Sequence, residues 1–367
     1  MIEHRVPARI IPPGRILARE LDARGWTQKD LAAIMGRPIQ AINEIIKSTK
    51  QITPETALAM ADAFGTTAEF WLNLEANYRL NLARREQSAT EVARKSRLYS
   101  MLPIAELLRR GWITPAEPLD ELEQAVCRFL DISSLEETPV LAASFRQATE
   151  RTPELNAQVA WLARVRQLAQ AQEVALFERK KLHRAIPDIL ALSAKVEDIA
   201  QLPRLLASLG IHFEIVQHLP KTYIDGATFM LDGHPVVAIS LRYDRIDWFW
   251  FTVIHELAHV VKGHKGLRVD NLEKPDELDI EEQAANHLAG DWLIPPDHLD
   301  DFIRKTRPHF SYASLACFAA SIGRHPGIVC GRLQKDKIVG FDRRKFLEKV
   351  SPFLREFADP LPERRIC

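Results

Sequence analysis

The pentad His255-Glu256-Leu257-Ala258-His259 constrains this chain more than any other stretch of it. It follows the run Trp248-Phe249-Trp250-Phe251, so a helix starting near Asp247 carries it into the interior. Buried histidines need partners, because burying an unpaired polar group costs free energy. Residues four apart on a helix project from one face, about one turn apart. Both imidazoles can therefore bind one metal ion, and Zn2+ suits such donors. Glu256 falls beside that position, where it can take a proton from an attacking water. A third protein ligand is needed. Glu282 is the best candidate, on a helix predicted over about 278–293 and ended by Pro295-Pro296. Asn286, one turn further, can hydrogen-bond a ligand histidine's second nitrogen. Glu281 points roughly 100° away on the same helix. His264 follows Gly263 directly, so the His-x-x-Gly-x-x-His spacing of a three-histidine site is not met.

Ahead of the pentad, Ile211, Phe213 and Ile215 alternate with polar residues as a half-buried strand does. Strands over 227–231 and 235–241 follow, joined by Asp232-Gly233, a strong hairpin signal. One hairpin strand could pair with an extended peptide. Most of the remainder reads as helix, including 104–110, 119–130, 154–179 and 196–209, with a short strand around Ile338–Gly340. The fold class is thus mostly α with a small β-sheet, an α+β protein. Its 367 residues imply two or three domains, and 46% hydrophobic residues imply a packed interior.

The first 85 residues read as five short helices. Pro13 opens one that stops at Gly25, and Thr27 caps the next with Asp30 three residues on. Gly36 falls in the turn before a third helix from Pro38, which carries Ile42, Ile45 and Ile46 inward. Thr53-Pro54 opens a fourth, and Thr67 caps a fifth through Phe70 and Trp71. Short helices with a tight glycine turn between the second and third form a helix-turn-helix.

This segment resembles the XRE-type helix-turn-helix, and more closely its HigA-type antitoxin subgroup. The likeness rests on Gly25-Trp26-Thr27-Gln28, Ile42-Asn43-Glu44-Ile45-Ile46, Ile52-Thr53-Pro54-Glu55-Thr56-Ala57 and Glu69-Phe70-Trp71-Leu72. It implies a lambda-repressor-like domain that binds a double-stranded DNA operator, as a homodimer on paired half-sites. Gln40 and Asn43 would read bases, with Gln28, Arg37, Lys47 and Lys50 completing the contact set. Ile39 and Ala41 depart from residues common at those positions. From about Gly210 to Arg332 the chain resembles the ImmA/IrrE family of gluzincin-like metallopeptidases, through Asp225-Gly226-Ala227-Thr228-Phe229, the histidine pentad, Glu282 to Pro295, and Gly331-Arg332-Leu333. Ala284 stands where that family often has an acidic residue. The resemblance implies a zincin-like fold, zinc on His255, His259 and Glu282, and Glu256 as general base. It also implies a protein substrate: a repressor, a partner toxin or the chain itself.

The expected organisation is a DNA-binding domain over 1–85, a helical linker domain over 86–205, a metallopeptidase domain over 206–340 and a helical tail over 341–367. The expected function is a transcriptional regulator with a fused zinc-dependent endopeptidase. The alternative is an antitoxin-like autorepressor whose second half binds or senses without cutting.

Charge sets limits on the partners. The chain carries 49 basic and 49 acidic residues, which excludes a uniformly cationic nucleic-acid binder. Residues 1–85 hold twelve basic against nine acidic side chains, so any DNA-binding surface is small and local. No apolar run of about eighteen residues exists, so no membrane span is expected. Met1–Pro13 lacks the apolar core of a signal peptide. Cys127, Cys317, Cys330 and Cys367 form no CxxC pair, and Cys317 and Cys330 read as buried thiols. A reducing cytoplasm fits that usage.

Overall fold

The computed structural model describes residues 11–86, 91–116, 118–137, 139, 153–264, 266–270, 272, 279–340 and 346–360. The chain forms two compact units, Met1–Arg94 and Lys95–Cys367.

In the first unit the helices are α1 (Pro13–Arg24), α2 (Gln28–Ile34), α3 (Ile39–Ile46), α4 (Pro54–Phe64) and α5 (Ala68–Glu86). Their starts follow local chemistry. The Asp30 amide donates to Thr27 Oγ1 at 3.2 Å, and the Thr27 amide donates back to Asp30 Oδ2 at 2.7 Å, closing a capping box. Thr53 and Thr67 cap α4 and α5 by single bonds, their Oγ1 atoms accepting from the amides of Thr56 at 3.4 Å and Phe70 at 3.2 Å. Gly36 holds φ at +61° between α2 and α3, a conformation that side chains resist. Leu17, Leu31, Ile42, Ile45, Met60 and Trp71 make the core.

The second unit is built on a four-stranded sheet of order β1-β3-β2-β4. The strands are β1 (His212–Ile215), β2 (Gly226–Leu231), β3 (His234–Ile239) and β4 (Arg268–Asp270). β1 and β3 run parallel, and β2 is antiparallel to both β3 and β4. The β2–β3 hairpin turns on Asp232 and Gly233, both at positive φ, the twist a two-residue hairpin turn requires.

Each face of the sheet has its own core. Phe213, Ile215, Val237 and Ile239 pack with α10 (Arg179–Ala191), α11 (Leu202–Ser208), α12 (Ile246–Lys262), α13 (Ile280–Leu293), α14 (Pro296–Thr306), α15 (Tyr312–Ser321) and α16 (Pro326–Lys335). Ala227, Phe229, Leu231, Val236 and Ala238 pack with α6 (Glu91–Met101), α7 (Ile104–Arg109), α8 (Leu119–Leu130) and α9 (Pro153–Ala171). The period-2 alternation of strand side chains produces this division. The segment expected as a separate linker therefore supplies one wall of the sheet and part of the other.

Several local expectations are corrected. β1 is buried on both faces, not half-buried, because α9 covers the side that carries His212 and Glu214. The helix expected over 154–179 ends at Ala171 and resumes at Arg179. Between them the chain runs beside α11 and β1: the Ala175 amide donates to Ala207 O at 2.9 Å, and the Phe213 amide donates to Gln172 Oε1 at 3.2 Å. The helix expected over 196–209 restarts at Leu202, with Pro203 in its first turn, after a 3-10 segment over Glu197–Gln201. No strand forms at Ile338–Gly340. The Ile338 amide instead closes the end of α16 on Leu333 O at 2.8 Å. Where the C-terminal tail is described, it holds one short helix, α17 (Ser351–Leu354), and Ala358 bridges Ile215 beyond it. Cys330 is buried as expected, but Cys317 is exposed.

Candidate metal centre and helix-turn-helix face

α12 is buried along most of its length, with Phe249, Trp250, Val253, Ile254, Leu257 and Ala258 in the core. His255, Glu256 and His259 are at most 1% exposed, so their side chains are enclosed by protein. The two Nε2 atoms of His255 and His259 lie 3.0 Å apart and face one point. α13 brings Glu282 to the same point. Asp279 caps that helix, accepting from the amides of Glu281 at 2.8 Å and Glu282 at 3.3 Å, and so fixes Glu282 in the first turn. Glu282 Oε2 is 3.3 Å from His255 Nε2, and its Oε1 is 3.4 Å from His259 Nε2. Glu281 turns away and pairs with Arg268, as the helical angle predicts.

β4 adds a side chain that sequence reasoning missed. Asp270 Oδ2 lies 3.0 Å from His255 Nε2 and 3.9 Å from His259 Nε2. Donor atoms of His255, His259, Asp270 and Glu282 all fall within 4.8 Å of one another. Two imidazoles and two carboxylates make a nitrogen and oxygen set that suits a divalent ion such as Zn2+. The electrostatics agree that this nest wants a cation. Burial works against charge on His255, yet hydrogen bonds to Asp270 and Glu282 outweigh it and push its pKa up to about 10. Burial likewise opposes ionisation of Glu282, and the two histidines overcome it and hold the carboxyl well below the usual range.

Glu256 is held by β2. Thr228 Oγ1 donates to Glu256 Oε2 at 2.5 Å, and Oε1 has no hydrogen-bond partner among the described residues. A Cβ at Gly226 would lie 2.1 Å from that Oε1, so only glycine lets β2 pass so close. Burial, followed by the charge of Asp270, pushes the Glu256 carboxyl well above the ordinary range. Asp225 locks the entry to β2. It accepts from Trp248 Nε1 at 3.1 Å and from the Leu272 amide at 2.9 Å.

Residues 17–71 match the helix-turn-helix family, and residues 209–316 match the IrrE N-terminal-like domain family of peptidases. Virulence-associated protein I of Dichelobacter nodosus is 33% identical over 91 residues, 24% of this chain and 82% of that protein. An addiction module antidote protein of a HigA family from Coxiella burnetii is 39% identical, covering 21% of this chain and 86% of that one, with a TM-score of 0.21. The chain belongs to the helix-turn-helix family in one unit and to the IrrE-like peptidase family in the other. It is a helix-turn-helix regulator with a fused peptidase-like domain of a metal-using family.

In the IrrE-like domain the histidine-orienting residue differs from expectation. Asn286 is half-buried, and no hydrogen bond joins it to either histidine among the described residues. His264 takes that place, its Nδ1 2.8 Å from His259 Nδ1, on the side of the ring away from the donor cluster.

In the helix-turn-helix unit, Gln40 on α3 and Lys47 at its end are exposed to solvent, and Asn43 on α3 and Arg37 ahead of it are half-buried. Lys50 is exposed just beyond α3, and Gln28 is half-buried at the start of α2. Gln40 Nε2 donates to Glu44 Oε1 at 3.1 Å, and Lys50 Nζ is 3.9 Å from Glu44 Oε2, so Glu44 ties this face together. Ile39 is 44% exposed beside Gln40, an apolar side chain open to solvent. Trp71 is core, and Trp26 is half-buried against Phe64. Among the described residues no helix is long and apolar enough to cross a membrane.

Proposed function

We propose that this regulator is a zinc-dependent endopeptidase which cuts a regulatory protein, while its helix-turn-helix unit holds it at a double-stranded DNA operator as a homodimer. The observation that carries the reading is the convergence of His255 Nε2, His259 Nε2 and the Glu282 carboxylate on one buried point, with Glu256 beside it. His255, His259 and Glu282 would hold the ion, which supplies Lewis acidity towards a peptide carbonyl. Glu256 takes the proton of the attacking water at Oε1 and passes it to the leaving amine. Thr228 holds Oε2, so the carboxylate keeps one orientation through both transfers. At the operator, Gln40 and Asn43 read base edges, and Gln28, Arg37, Lys47 and Lys50 contact phosphates. The substrate class is a repressor, a partner toxin or a second copy of this chain.

The test compares the proteomes of cells carrying the native protein and Glu256→Gln. One protein whose level falls, or whose fragments appear, only with the native chain supports the reading. Identical proteomes, with about one zinc per chain in both, overturn it. A second reading is an antitoxin-like repressor whose IrrE-like domain binds without cutting. Complete burial of Glu256 favours it, and operator-dependent repression that survives Glu256→Gln is the result it requires.

A further inference from the structure

We propose that Asp270 is a fourth protein ligand that closes the metal's coordination shell in the resting chain, and that β4 is an internal stand-in for a substrate strand. The inference rests on the metal centre proposed above and concerns a residue outside its expected ligand set.

A carboxylate that merely orients a ligand histidine bonds its other ring nitrogen. Asp270 approaches His255 Nε2, the same atom that faces His259 and Glu282. His255 Nδ1 is buried and has no partner among the described residues. Asp270 is therefore on the ion's side of the ring.

Two neutral imidazoles and two carboxylates offset a divalent ion completely, and the site is buried, where uncompensated charge is costly. Four such donors complete the tetrahedral set of a closed zinc site, whereas a catalytic site keeps one position open.

Gly226 pairs with Asp270, Ala227 with Val269 and Thr228 with Arg268. Cross-strand partners share a face, so Asp270 lies on the face where Gly226 and Thr228 meet Glu256. The position is fixed at both ends. The Asp225 amide donates to Asp270 O at 2.8 Å, and Arg268 Nη1 donates to Asp279 Oδ2, the cap of α13, at 2.8 Å. β4 also occupies the edge of β2 that the hairpin would otherwise offer to an extended peptide. The other hairpin strand, β3, is interior, flanked by β1 and β2. A peptide that displaced β4 would gain the β2 hydrogen bonds and vacate the coordination position in one movement.

The experiment uses the full-length native protein and Asp270→Asn, which keeps the side chain's shape. Zn2+ affinity is measured by chelator competition. Access to the metal is measured by titrating the Co2+-loaded proteins with acetohydroxamate and following the visible spectrum. The expected result is a Zn2+ affinity weakened by at least about tenfold in Asp270→Asn. The hydroxamate should change the variant's spectrum at concentrations that leave the native spectrum unaltered. Equal Zn2+ affinity in the two proteins overturns the proposal. So does a native protein that takes the hydroxamate readily, a result independent of how the variant folds. Both of these outcomes leave the three-ligand centre standing. A native chain that binds no Zn2+ removes the metal centre itself, and Asp270's role with it.

Discussion

Glu214 offers a sharp test of how the second unit is held together. It stands on β1 opposite Ala238, on the face covered by α9, and is 7% exposed. Burial first, and the charge of Asp359 second, push its carboxyl from 4.5 up to about 8, against the pull of Arg164. A native pKa above the unfolded one means that the folded chain holds the proton more tightly. The stability this confers is complete below about pH 4.5, declines as the pH rises, and is gone above about pH 8. At about 1.4 kcal/mol per pH unit, that interval amounts to roughly 5 kcal/mol, of which roughly 3 kcal/mol is already lost at pH 7. Glu214→Gln keeps the shape and removes the titration. The variant should be more stable than the native protein at about pH 8, and the gap should narrow towards about pH 5. Hydrogen exchange of peptides spanning 210–216 and 234–240, corrected for intrinsic rates, reads this unit separately from the helix-turn-helix unit. Parallel stability curves for the two proteins across that range would refute the reasoning, because they would mean that Glu214 is solvated in the native state.

Three further outcomes are expected. Gly226→Ala sets a methyl against Glu256 Oε1, and displacing a proton-transfer group by about 1 Å costs on the order of 100-fold in rate. Retention of about one zinc per chain, measured by metal analysis, should separate this effect from loss of the site. Zinc at about 100 times its dissociation constant should stabilise the second unit by about 2.7 kcal/mol, a gain that EDTA abolishes, while the unfolding of the helix-turn-helix unit stays unchanged in calorimetry. Lys47→Ala should weaken operator binding about equally on all sequences and lower the salt slope by about 1, whereas Gln40→Ala should cost about 1–3 kcal/mol and relax the preference at one base pair, both read in binding titrations at several salt concentrations.

What could be read from the sequence is what depends on short spacing. His255 and His259 lie one turn apart on a single helix, so their convergence needs no knowledge of the fold. Glu282 is within reach because the next helix follows closely and its first turn is set by Asp279. The helix-turn-helix caps at Thr27, Thr53 and Thr67 are equally local. Asp270 was not legible. It reaches the site through the pairing of a three-residue strand with β2, and three residues carry no periodic signal. His264 shows the complementary limit. Its spacing rules out one geometry, but only the fold reveals that its ring meets His259 from behind. The alternation in β1 shows two faces, but not that α9 covers the second.

The two-sided sheet sets apart what is recognisable from what can fold. Residues 209–316 are the stretch a family model matches, yet cutting the chain there would strip Trp161 and Leu162 from one side of the sheet and Leu182, Ile189 and Leu206 from the other. The freed fragment would present Ala227, Phe229, Val236 and Ala238 to water as a sticky apolar wall. A truncated peptidase domain prepared on the family boundary should therefore aggregate, and a piece intended to stand alone must begin before Leu98.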